Sequence, residues 1–278
     1  MATNAPTATE YIQHHMAHLS SMKQGVIVDF SVLNYDTIFF SILMMVVMFF
    51  LLRAGAKNAT SGVPGKVQCA VEMLVEMVNN QAKSIVHGDR TYIAPLALTV
   101  FCWVTLMNSI DLIPVDLFPM IAGWFGLHYL RPLPTADLNG TLGISFGVLL
   151  LMFYYGIKVK GLGGYLKSFA PSGLPLVMVP IVWFLELFST VLRVLTLAVR
   201  LYGNMFAGHM VLGIFALLTS VFIGSAIQGA GVGVGSISIA WMLFLFAMYA
   251  LEVLVAFLQA YVFTILSAVY IGLATSDH

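Results

Sequence analysis

The chain has 278 residues, of which 60% are hydrophobic and only 9% charged, and its formal net charge is zero. Soluble domains are roughly a quarter charged, so a water-soluble fold of this size would lack the polar surface to cover itself. The composition predicts a polytopic membrane protein, and the zero net charge gives no electrostatic footprint for nucleic acid.

Residues 1–34 read as an external N-terminal segment ahead of a single membrane domain, 35–278. No basic stretch followed by an apolar core opens the chain, so no cleavable signal is expected. A transmembrane helix needs ~20 apolar residues. Spans are predicted at about 35–52, 92–110 and 138–157, and two much longer ones at about 174–222 and 236–274. At 1.5 Å per residue the last two would be roughly 70 Å and 57 Å long, against a bilayer core of ~30 Å. Pro180 sits near the start of the fourth run, where a first turn accepts it. Two long tilted helices are expected rather than four short ones, joined as an antiparallel hairpin through the Gly-rich segment 228–235.

Between the first two spans, after Pro64, residues 66–86 carry Glu72, Glu76 and Lys83 at helical spacing, with Val71, Leu74, Val75 and Val78 largely elsewhere. This predicts an amphipathic helix at the membrane interface or packed on the protein itself. The segment from Lys158 to Gly164 reads as a Gly-rich turn. It lacks the Gly-Lys-Ser/Thr ending of a phosphate loop. Cys69 and Cys102 lie in unlike contexts without metal-ligand spacing. The fold class is therefore all-α: five transmembrane helices plus one amphipathic interfacial helix.

Basic residues set the orientation. Arg53, Lys57, Lys66, Lys83, Arg90, Lys158, Lys160 and Lys167 fall on one side, and only Lys23 and Arg131 on the other. The positive-inside rule then puts the N-terminus outside and the C-terminus in the cytoplasm.

Arg200 lies in the fourth run, and a guanidinium keeps its proton at any useful pH. A charge at membrane depth costs several kcal/mol and is a functional hypothesis by default. Advancing 100° per residue from Arg200, Glu186 falls at about +40°, Ser189 at about −20°, Arg193 at about +20°, Thr196 at about −40° and Asn204 at about +40°. These residues share one stripe, while His209 falls on the opposite face. Arg193 is within easier reach of a partner near Glu186 or Ser189 than Arg200 is, and reads equally as structural. Glu252 and Gln259 share a face of the fifth run. A hairpin turning near residue 230 brings Arg200 level with Gln259 and His209 level with Glu252. That common depth favours a proton path over packing roles for the two titratable side chains.

The block Leu197-Ala-Val-Arg200-Leu-Tyr-Gly-Asn204-Met-Phe-Ala-Gly-His209 closely resembles the signature of subunit a of F-type ATP synthases. Met107-Asn-Ser-Ile-Asp111-Leu-Ile-Pro114, Arg131-Pro-Leu-Pro-Thr-Ala-Asp137-Leu-Asn139 and Leu258-Gln259-Ala-Tyr-Val-Phe corroborate it in the same order. The resemblance covers most of the chain from about residue 35 and is to the bacterial form. It implies a non-catalytic, proton-translocating stator subunit in the bacterial inner membrane. Expected partners are a c-ring, the peripheral-stalk b subunits and the lipid bilayer, with no cofactor, metal or direct nucleotide binding. By the resemblance Arg200 faces the ring carboxylate, beside Gln259 and Asn204. His209 and Glu252 line the external half-channel, in the reverse order of acid and imidazole from some bacterial relatives. Asn108, Asp111 and Asp116 match its entry, and Glu186 and Ser189 match the cytoplasmic half-channel. Asp137 and Arg193 are left without an assigned role.

A stand-alone ion channel or secondary transporter is the competing class, since buried Arg, Glu and His fit it too. It would bring inverted repeats and a midplane pocket of broken helices, and no internal repeat is visible. A membrane metalloprotease lacks its His-Glu-x-x-His, and His14, His15 and His18 lie near the terminus.

Overall fold

The computed structural model describes residues 19–22, 29, 31–57, 59–60, 62–85, 92–113, 117–124, 126, 132–169, 175, 178–227 and 234–275. The elements are α1 (Tyr35–Lys57), α2 (Lys66–Ile85), α3 (Ile93–Ser109), a 3-10 turn (Ile110–Leu112), α4 (Leu117–Trp124), a second 3-10 turn (Pro134–Ala136), α5 (Leu138–Ser168), α6 (Val179–Ile227) and α7 (Val234–Thr275). No strand element occurs among the described residues. Five helices are long and apolar enough to cross a membrane, namely α1, α3, α5, α6 and α7.

Each of the two long apolar runs forms one helix, of 49 residues in α6 and 42 in α7. Pro180 occupies the first turn of α6, where its missing N–H has no carbonyl to seek. The expected connection at 228–235 lies mostly outside the described residues, but α7 already begins at Val234. The chain pairs antiparallel at three levels. Asn204 meets Gln259, Gly208 meets Glu252, and the rings of Phe215 and Phe244 lie 5.1 Å apart.

α3 packs most extensively against α7, and α5 against both α6 and α7. Phe101, Val104 and Met107 of α3 bury themselves with Val148 of α5, Leu197 and Leu201 of α6, and Ala260 and Phe263 of α7. Outward faces are left apolar, as on α1, where Phe39, Ile42, Phe49 and Phe50 are exposed. A bilayer solvates such a surface as well as protein does.

The amphipathic helix forms as α2 and lies on the protein. Val78 and Ala82 are buried, and the helix touches α1, α3 and α7. Its first turn is tied down by Gln68, whose Nε2 donates to the Thr60 carbonyl (3.0 Å) and to Glu72 (2.7 Å). The structure also contains α4, which hydrophobic patterning did not single out because it spans only two turns; its Phe118 packs edge-on against Phe40.

The expected turn at Lys158–Gly164 is an elbow inside α5. The helix continues to Ser168 across a single break at Gly161, whose φ of +72° a side chain would resist. Beyond the break the Tyr165 ring folds back onto Gly156 and packs edge-on against Phe153 and Phe169. Trp183 of α6 closes the elbow by donating to the Leu166 carbonyl at 3.1 Å.

Candidate functional site

α6 sorts its residues by face. Val194, Leu197, Ala198, Leu201 and Met205 recur at three- and four-residue intervals and are buried, the pattern of a core-facing stripe. Arg193, Thr196, Arg200, Asn204 and Ala207 lie on the other side and are exposed. Thr196 satisfies its hydroxyl on the Leu192 carbonyl at 2.8 Å. Arg200 makes no hydrogen bond or ion pair among the described residues. The residue is exposed, and no described residue pairs with its guanidinium.

Beside it, Asn204 Nδ2 donates to Gln259 Oε1 at 2.7 Å. Gln259 is buried, and its Nε2 has no acceptor among the described residues. A buried donor left open is costly.

Further along the hairpin, three polar residues converge from three elements. Asn108, next to last in α3, is fully buried, and its Nδ2 donates to the Ala256 carbonyl at 3.2 Å. Asp111 follows in the 3-10 turn, also buried. The carboxyl of Glu252, on α7, lies within hydrogen-bonding reach of Asp111. Its Oε1 rests against Gly208, where an added Cβ would approach to about 2.5 Å. Gly208 thus provides the slot that holds Glu252. Neither Asn108 Oδ1 nor Glu252 Oε1 has a donor among the described residues. Buried polar atoms of this kind ordinarily bond ordered water. The side chain of His209, next along the helix, and the whole of Asp116 lie outside the described residues.

At the other end of the stripe, a cavity of about 290 Å³ opens between the α5 elbow, α6 and the end of α7. Glu186, Thr190 and Arg193 line it from α6, Lys160 and Ser168 from α5, and Tyr270 from α7. Arg193 Nη2 donates to Glu186 Oε1 at 3.2 Å. Ser189 is half-buried and does not line this cavity; Thr190 does.

Asp137 sits apart from these groups. It caps α5 by accepting from the Asn139 N–H (3.0 Å), and its other oxygen accepts from Asn34 Nδ2 and Thr37 Oγ1, both at 2.9 Å. One buried carboxylate therefore joins the first turns of α1 and α5.

The candidate residues thus fall into four groups: Arg200 with Asn204 and Gln259; Asn108 with Asp111 and Glu252; Glu186 with Arg193; and Asp137 with Asn34 and Thr37. Sequence reasoning missed Thr190, Lys160 and Gly208. Thr190 stands one turn after Glu186 and was open to the same periodicity argument. Lys160 and Gly208 join the site only through contacts between helices. Among the described residues no three His, Cys, Asp or Glu side chains gather to hold a metal.

Residues 38–272 match the family described as ATP synthase A chain. The chain is 42% identical over 269 residues to ATP synthase subunit a of Mannheimia succiniciproducens, covering 96% of each chain. It is 42% identical to the protein of the same name from Aliivibrio salmonicida, covering 98% of this chain and 97% of that one. For that of Acidovorax sp. the identity is again 42%, over 99% and 98%. With the family matched over most of its length and near-full-length relatives at this identity, this membrane-spanning chain belongs to the ATP synthase subunit a family.

Proposed function

We propose that this chain is the proton-translocating stator of a bacterial inner-membrane rotary ATP synthase, working against a c-ring and held by the peripheral-stalk b subunits. The observation that carries the reading is Arg200, a permanent cation on an exposed helix face with no partner among the described residues. A ring carboxylate in lipid has to carry a proton, because an unpaired charge there is prohibitive. Beside Arg200 the balance reverses. Two unit charges 4 Å apart at an effective dielectric near 20 attract by roughly 4 kcal/mol, which favours the ionised form about a thousandfold.

The carboxylate releases its proton on one side of Arg200 and takes up another on the other side. Asn108, Asp111 and Glu252, with Asp116 and His209, form the external half-channel; the cavity at Glu186 opens to the cytoplasm. Arg200 separates the two and repels protons that would pass straight between them. In this arrangement α6 and α7 are tilted in the bilayer, the N-terminus is outside and the C-terminus inside. The coupling ion is H⁺, and nucleotide chemistry belongs to the partner subunits. A stand-alone transporter built on broken helices is not favoured, because α6 runs unbroken through Arg200.

The test is ATP-driven proton pumping in vesicles holding the whole complex. Arg200→Ala and Arg200→Lys should both abolish it while assembly is retained, since a desolvated lysine loses its proton where arginine does not. Full pumping by either variant refutes the role.

A further inference from the structure

The α5–α6 cavity contains an arrangement that half-channels as such do not require. Glu186, Thr190 and Arg193 follow one another at four- and three-residue spacing, so all three project from one face of α6 into the cavity. Lys160 faces them from α5, immediately before the break at Gly161. Two cations share the α6 stripe with the Glu186 carboxylate, and only Arg193 is within reach of it. Arg200 is fourteen residues away, roughly 21 Å along the helix, and Arg193 is half that far. The carboxylate pairs with Arg193, and Arg200 has no partner among the described residues. The two paired side chains are 43% and 44% exposed. Exposed ion pairs add little to stability; what this one sets is the position of the carboxylate at the cavity. The cavity is also wettable: Ser168, Thr190 and Tyr270 offer hydroxyls, and its volume is room for roughly ten waters.

We propose that Arg193 is a positioning residue for proton release: it holds the Glu186 carboxylate at the rim of the α5–α6 cavity, where that carboxylate passes protons between the ring and cavity water. The inference rests on the stator reading above, which places Glu186 in the cytoplasmic half-channel, and adds the anchor of that carboxylate. In the direction of ATP synthesis, the proton leaving the ring carboxyl is carried by water to a Glu186 oxygen. The resulting O–H then gives its proton to a cavity water, and Glu186, again a carboxylate, re-forms its bond with Arg193. No other bond is made or broken. The charged and titratable groups facing Glu186 are Arg193 on its own helix, Lys160 and Tyr165 from α5, and Tyr270 from α7.

The experiment uses the whole reconstituted complex with Arg193→Gln, Arg193→Lys, Glu186→Gln and the double variant Arg193→Gln/Glu186→Gln. Assembly is scored alongside pumping, and Arg200→Ala serves as a control. Arg193→Gln should slow pumping by about fivefold, the equivalent of one lost hydrogen bond, and Arg193→Lys should restore most of it. The double variant should be no slower than Glu186→Gln alone. Raising the concentration of a small weak-acid buffer on the cytoplasmic side should speed the slow variants and leave the parent unchanged. Wild-type pumping by Arg193→Gln, multiplied losses in the double variant, or a lysine variant as slow as the glutamine one would overturn the proposal. Pumping by Arg200→Ala would defeat the stator reading itself; its loss together with a normal Arg193→Gln defeats only the inference.

Discussion

Asn204 of α6 and Gln259 of α7 are joined by a 2.7 Å hydrogen bond that sets the register of the two longest helices one turn from Arg200. Hydrogen bonds between transmembrane helices average about 0.6 kcal/mol and reach about 1.7 kcal/mol. Asn204→Ala and Gln259→Ala should therefore each lower the stability of the hairpin modestly, and together by less than the sum. A double-mutant cycle on thermal unfolding of the detergent-solubilised complex measures this; strict additivity would mean the two amides do not act as a unit.

Glu252 owes its position to the missing side chain at Gly208. A Cβ there would lie about 2.5 Å from Glu252 Oε1, closer than any stable contact allows. Gly208→Ala should push the carboxyl off Asp111 and slow passive proton flux through vesicles stripped of the catalytic sector, with the assembled amount unchanged. Shortening the acid, Glu252→Asp, should recover part of the loss in the Gly208→Ala background. If alanine alone leaves flux intact, the carboxyl does not need that slot.

The contacts of Asp137 predict a structural role rather than one in the channel. It accepts from Asn34, Thr37 and the Asn139 N–H while buried at 5% exposure. Hydrogen bonds to a charged group contribute about 1.5–3 kcal/mol each. Asp137→Ala should cut the amount of folded subunit severely. Asp137→Asn, which keeps the shape and one acceptor oxygen, should cut it less. Quantitative immunoblots of membranes, with pumping normalised to the subunit present, separate this from a channel role. Normal abundance with lost pumping would reverse the assignment.

The five spans were legible because a bilayer demands long apolar runs and little else competes with that signal. The amphipathic helix at 66–86 was legible from its spacing, and the cation stripe from arithmetic at 100° per residue. α4 was not, since eight residues carry too little periodicity. The elbow in α5 was read as a turn because its glycines cluster, although only Gly161 takes a positive φ and the helix resumes after it. Ser189 shared the stripe by angle, yet the cavity between α5 and α6 admits Thr190 instead, because cavity walls follow the neighbouring helix as well as the wheel.

What the sequence determined by itself was which segments are apolar, which face of each helix carries charge, and that one arginine lies inside a long apolar run. These are local properties, fixed by side-chain chemistry and the helical repeat. The tertiary structure decided who meets whom. Asp137 finds Asn34 across more than a hundred residues, Glu252 finds a slot at Gly208, and Glu186 takes Arg193 while Arg200 has no partner among the described residues. Such pairings depend on the azimuth, spacing and depth of packed helices, which no single segment encodes.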